Sequence, residues 1–134
     1  MLPSATEIMH SLDLTQNLVG RSRKCDYPIC ISNLPTVTFA HVHPKAPSHM
    51  IDRDCQSQRL RQSLSLYGIR EDRIRELAPD YVITQTQCKV CAVSLNDVKT
   101  FLKNGLGGTV DLLALTPNTL DKVWDNIWRT SAPA

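Results

Sequence analysis

Tyr81-Val82-Ile83-Thr84-Gln85, followed by Thr86-Gln87-Cys88-Lys89-Val90-Cys91-Ala92-Val93-Ser94, is the stretch on which the fold depends. Its first four residues are β-branched or aromatic, lie just after Pro79, and read as a buried strand. A Cys-x-x-Cys in the loop that leaves such a strand stands where open α/β sheets bind their ligands, outside the carboxyl ends of the strands. A binding cleft at that end of a sheet is therefore the first expectation.

Working outward, helix and strand patterns alternate. Glu71 to Leu77 predicts a short helix with Ile74 and Leu77 inward and Pro79 as its stop. After the cysteine loop, Leu95 to Leu102 places Val98, Phe101 and Leu102 on one helical face, and Asn104-Gly105 supplies a left-handed C-cap. Val110 to Leu115 predicts another strand. The closing helix repeats Leu120, Val123, Trp124, Ile127 and Trp128 as one apolar stripe.

Towards the N-terminus, Ser4-Ala5-Thr6-Glu7 has capping-box spacing and predicts a helix beginning near residue 5. Leu18-Val19-Gly20 and Leu34 to Phe39 read as brief strands, the second with Pro35 favouring its start or a sheet edge. Ser48 is expected to cap a polar helix reaching about Gln62, after a proline-punctuated loop from His41 to Ser48. The order α, β, β, α, α, β, α, β, α predicts an α/β fold, a parallel sheet with helices on both faces, in a single lobe spanning residues 1–134. Met1-Leu2-Pro3 occupies the place where a first strand should end, so that strand is expected to be missing.

At 134 residues, with 15 basic and 13 acidic side chains scattered to a net +2, the chain lacks the concentrated basic stripe of a nucleic-acid binder. No apolar run approaches the roughly 20 residues of a membrane span, and Glu7 and His10 interrupt any signal-peptide pattern. A soluble cytoplasmic protein is expected, or a periplasmic one if the chain is the mature part of an exported protein. Five cysteines, at 25, 30, 55, 88 and 91, fit reduced thiols better than a disulfide framework.

Leu2-Pro3-Ser4-Ala5-Thr6-Glu7-Ile8, Leu18-Val19-Gly20, Cys25-Asp26-Tyr27-Pro28, Leu34-Pro35-Thr36-Val37-Thr38, Leu77 to Gln85, Gln87 to Ser94 and Thr119 to Trp124 together resemble, in order, the N-terminal lobe of the cobalamin (vitamin B12) and iron-complex binding proteins of ABC importers. The resemblance implies a periplasmic-binding-protein-like lobe of class III, with strand-end loops lining a cleft. On that likeness Ser4 and Thr6, then Lys24, Cys25, Asp26 and Tyr27, then Phe39 and His41 with His43, then Gln85 and Gln87 through Cys91, would face a corrinoid or metal-chelate ligand. Asp72, with Glu71 beside it, matches the acidic residue that docks onto a permease. The second lobe of the family is not in this sequence, so a homodimer or a partner lobe is expected to complete the cleft.

Other readings stay open. Cys25, Cys88 and Cys91 have the thiolate chemistry to hold zinc or an iron–sulfur cluster, with Cys30 as a fourth ligand, or to act as a redox dithiol; alternatively they pack as small hydrophobes. His41 and His43 alternate in an extended stretch and would present two imidazoles to one side, or simply sit in a solvated loop. His10 and His49 read as surface or capping residues. Tyr27 suits stacking on a macrocycle or anchoring its turn, and Trp124 and Trp128 suit core or subunit packing. Asp26 with a histidine is a conceivable acid–base pair, but the chain has no nucleophile elbow, phosphate loop or His-Glu-x-x-His, so binding is favoured over catalysis.

Overall fold

The computed structural model describes residues 2–41, 47–50, 52–53, 67–86 and 93–131. Four helices of seven residues or more are described: α1 (Pro3–Ser11), α2 (Glu71–Leu77), α3 (Leu95–Gly105) and α4 (Leu120–Ser131). The strands are β1 (Thr38–Ala40), β2 (Tyr67–Ile69), β3 (Tyr81–Gln85) and β4 (Asp111–Leu115).

The strand at the head of the deciding stretch forms as its pattern demands, while residues 87–92 lie outside the described residues. β3 pairs in parallel with β4, Val82 opposite Leu112 and Ile83 opposite Leu113, and α3 lies in the connection between them. Side chains alternate across a strand, so the two faces of this pair go to different cores. Val82 and Leu112 join Ile74 of α2 and Val98, Phe101 and Leu102 of α3. Ile83, Leu113 and Leu115 join Leu2, Ala5 and Ile8 at the start of α1. Helices thus cover both faces of the parallel pair, and each fully buried aliphatic side chain contributes roughly 1.5–3 kcal/mol.

The rest of the expected sheet is not formed among the described residues. β1 pairs antiparallel with β2 as a separate two-stranded sheet, Thr38 opposite Ile69. Among the described residues the fold is a mixed helix–strand arrangement with one parallel and one antiparallel pair. Leu18-Val19-Gly20 forms no strand; only Arg21 bridges to Thr36. The expected second strand is confined to Thr38–Ala40; ahead of it Arg21 bridges to Thr36, its N–H donating to the Pro35 carbonyl and its carbonyl accepting from the Val37 N–H, both at 2.9 Å. Tyr67–Ile69 is a strand that the sequence reading missed. Residues 48–50 and 52–53 are helical, and the remainder of the helix expected to reach Gln62 lies outside the described residues.

Helix ends also differ from expectation. α1 starts at Pro3, with Leu2 at the N-cap and no side-chain cap, so Ser4 and Glu7 do not form a capping box. Proline's fixed φ and missing N–H suit the first helical position, which moves the start ahead of Ser4. At α3, Ser94 caps the N-terminus by accepting from the Asp97 N–H at 3.1 Å. Gly105 is still helical, and the left-handed residues come later, at Gly107 (φ 64°) and Gly108 (φ 75°).

Candidate functional site

Three of the segments nominated by the sequence are fastened to one another. Thr6 on α1 is buried, and its Oγ1 lies 2.7 Å from the Pro3 carbonyl and 3.2 Å from the Tyr27 carbonyl. That joins α1 to the 24–27 segment. The same segment is joined to β1, since the Arg23 N–H donates to Thr38 Oγ1 at 2.9 Å. Ser22 Oγ accepts from the Lys24 N–H at 3.1 Å and sets the intervening turn.

Above these fasteners, cations and aromatic rings form two separate groups on the β1–β2 sheet, Lys24 with Tyr67 on the face packed towards the core and Phe39 with His41 and Arg70 on the opposite face. Lys24 Nζ sits 5.6 Å from the centre of the Tyr67 ring. Phe39 and His41 meet edge to face with centroids 4.9 Å apart, and the Arg70 guanidinium lies 5.8 Å from the Phe39 ring. Gly68, opposite Phe39 in the register, permits this: a Cβ there would stand 2.5 Å from Phe39 Cζ and 2.9 Å from His41 Nε2. Tyr27 is 57 % exposed and meets His10 edge to face at 6.1 Å, with His10 Nδ1 3.1 Å from Thr15 Oγ1. Lys24, Asp26, Tyr27, His41 and Arg70 are exposed, and Phe39 and Tyr67 are half-buried.

The remaining nominated residues are placed differently. Ser4 is exposed on α1 and Gln85 is half-buried at the end of β3, where the neighbouring Thr86 bonds Thr116 at 3.0 Å. Cys25 is a free thiol, 1 % exposed; Cys30 is free and exposed. Among the described residues no three His, Cys, Asp or Glu side chains are grouped to hold a metal ion. His43, Gln87, Cys88 and Cys91 lie outside the described residues. Glu71 and Asp72 occupy the exposed first turn of α2, where Arg75 pairs with both, at 3.0 and 3.3 Å.

Sequence reasoning missed Tyr67, Arg70 and Arg21. Tyr67 and Ile69 are β-formers, but Gly68 between them weakens the strand signal. Arg21 directly follows the apolar Leu18-Val19-Gly20, and its guanidinium is drawn inward: Nη1 donates to the Cys25 carbonyl and Nη2 to the Ser32 carbonyl, both at 2.9 Å.

A second concave feature lies next to these loops. A cavity of about 620 Å³ is bounded by α1, the segment from Asn17 to Ser22, Cys25, the end of α2, the first half of β3 and the last residues of α4. No helix among the described residues is long and apolar enough to cross a membrane. No protein-family model, curated protein or solved structure matches this chain.

Proposed function

We propose that the chain is a ligand-binding module, resembling one lobe of an importer's cobalamin-binding protein, whose strand-end loops hold a corrinoid or another metal chelate. The observation that supports this is the group made by Phe39, His41 and Arg70 on one face of the β1–β2 sheet, whose strand is fastened to the 24–27 segment through Thr38, and that segment to α1 through Thr6. Aromatic faces and edges stack on a flat macrocycle, and cations beside them suit its acidic or amide periphery. His41 offers an imidazole to a metal at the centre of such a ligand. The likeness includes a partner lobe or a second copy completing the cleft.

Titration with aquocobalamin and with haem, read by the absorption of the chelate and by quenching of protein fluorescence, tests the reading. Saturable binding that Phe39→Ala and His41→Ala each weaken at unchanged melting temperature is the expected result. Absence of binding to either chelate overturns it. The cysteine-based reading is tested on the same material: zinc or iron in stoichiometric amount, lost in Cys88→Ser and Cys91→Ser, would assign Cys25, Cys88 and Cys91 to a metal instead.

A further inference from the structure

The cavity beneath the loops is walled mainly by apolar side chains, among them Ala5, Met9, Leu18, Val37, Leu77 and Ile83. Its size, about 620 Å³, is that of a small-molecule pocket rather than a packing defect. One cation breaks the apolar wall. Two of the Arg21 guanidinium nitrogens are fixed by the Cys25 and Ser32 carbonyls, which hold the plane of the group in place. Its Nε is buried without a hydrogen-bond partner, each terminal nitrogen keeps a second N–H beyond its carbonyl bond, and no ion pair among the described residues involves Arg21. Asp80, the acidic residue of the lining, is exposed and makes no pair with it. Ser22 is buried beside Arg21, and its Oγ accepts from the Lys24 N–H, which leaves the hydroxyl hydrogen to donate.

An apolar chamber with a guanidinium outside every ion pair among the described residues, and with a Ser22 hydroxyl left to donate where Thr6, Thr130 and Ser131 already donate to carbonyls, suits an alkyl chain that ends in a carboxylate. We propose that this cavity binds an aliphatic monocarboxylic acid, its chain among the apolar side chains and its carboxylate on Arg21 and Ser22. A carboxylate accepts from a guanidinium N–H as a charge-assisted bond, about twice as strong as a neutral one, and cancels a charge that the cavity otherwise leaves partly desolvated. The alkyl chain gains from burial in proportion to its area. This site uses α1 and the 17–25 segment, not the Phe39, His41 and Arg70 group, so it stands independently of chelate binding.

The test is displacement of a dansylated undecanoic acid from the purified chain by dodecanoate and by methyl dodecanoate. Saturable binding of one probe per chain is expected, with the ester at least about tenfold weaker than the acid, since a charge-assisted bond is worth a factor of roughly ten or more. Met9→Trp, which fills the cavity from α1, should abolish binding in a chain that still melts cooperatively. Arg21→Gln should weaken the acid about tenfold or more and leave the ester unchanged. No saturable binding by the unaltered chain overturns the proposal, as does equal affinity for acid and ester. Undiminished affinity in a folded Met9→Trp chain also overturns it. The acid-against-ester comparison needs no variant, so it decides even if Arg21→Gln loses its fold with the two carbonyl bonds.

Discussion

Thr38 in β1, 4 % exposed, accepts the backbone N–H of Arg23 at 2.9 Å across fifteen residues of chain. This one bond ties the loop that carries Lys24 and Tyr27 to the strand that carries Phe39. Thr38→Val keeps the branched shape and the β preference and removes only the acceptor. The expected cost is about 1 kcal/mol, the net worth of an ordinary hydrogen bond, or roughly 3–5 °C in melting temperature for a chain of this size. Thermal unfolding by circular dichroism checks it, and an unchanged midpoint would show that the loop is held by its other contacts.

Glu71 and Asp72 form pairs with Arg75 on the open surface of α2. Exposed pairs of this kind are worth about 0–1 kcal/mol because water and salt screen them. Glu71→Gln with Asp72→Asn is therefore expected to shift the unfolding midpoint by less than about 0.5 kcal/mol. If these acids dock onto a membrane permease, as the family likeness proposes, the double variant should lose that contact while keeping its fold. A chaotrope titration supplies the first readout and a permease pull-down the second.

The parts of the fold that could be read from sequence are those where apolar periodicity and local punctuation agree. Val82 and Ile83 between Pro79 and the loop, and Val98, Phe101 and Leu102 after the capping Ser94, leave one choice each, and β3, α3 and β4 stand where that choice puts them. Pairing partners were not legible. β1 takes β2 rather than joining β3, and nothing local in Thr38-Phe39-Ala40 says which strand it will meet. The capping-box reading failed because two signals competed at the same turn, and Pro3 at the first helical position prevailed over Ser4. For the site, Phe39 and His41 meet each other beside Arg70, and Lys24 meets Tyr67 on the opposite face of the sheet; Tyr67 and Arg70 come from in and just after a distant strand whose signal Gly68 weakens.

Gly105 gives a case where two effects of known sign oppose each other. Alanine in a helix interior is favoured over glycine by about 1 kcal/mol, and by less at a helix end. Here the added Cβ would stand 2.7 Å from Phe101 Cε2 and 2.9 Å from Cδ2. Phe101 is buried in the larger core and stacked beneath the Arg75 guanidinium at 5.5 Å, so it has little room to withdraw. Overpacking of this sort costs typically 1–3 kcal/mol. Gly105→Ala should destabilise by about 1 kcal/mol despite its better helix propensity, as measured by urea unfolding; a stabilised variant would mean that the ring moves freely.

The closing helix turns its tryptophans outward. α4 lies against α1 and buries Asn126 and Thr130, with Asn126 Oδ1 accepting from the Thr116 N–H at 3.4 Å and Thr130 Oγ1 donating to the Asn126 carbonyl at 2.8 Å. Leu120, Trp124 and Trp128, spaced four apart, are 69, 61 and 73 % exposed on the other side. The stripe expected from sequence is therefore split, with only Val123 and Ile127 half-buried. Exposed residues away from special contacts usually change stability by no more than about 0.5 kcal/mol when replaced. Trp124→Glu with Trp128→Glu should accordingly leave the melting temperature of dilute protein nearly unchanged. Each tryptophan buries 150–250 Å² when it enters an interface, so the same pair should abolish any self-association that completes a binding cleft. Light scattering at micromolar concentration is expected to give twice the 15.0 kDa chain mass for the unaltered protein and 15.0 kDa for the double variant. A lone 15.0 kDa species in both, with both tryptophans quenched freely by iodide, would defeat the homodimer and leave the face to another partner.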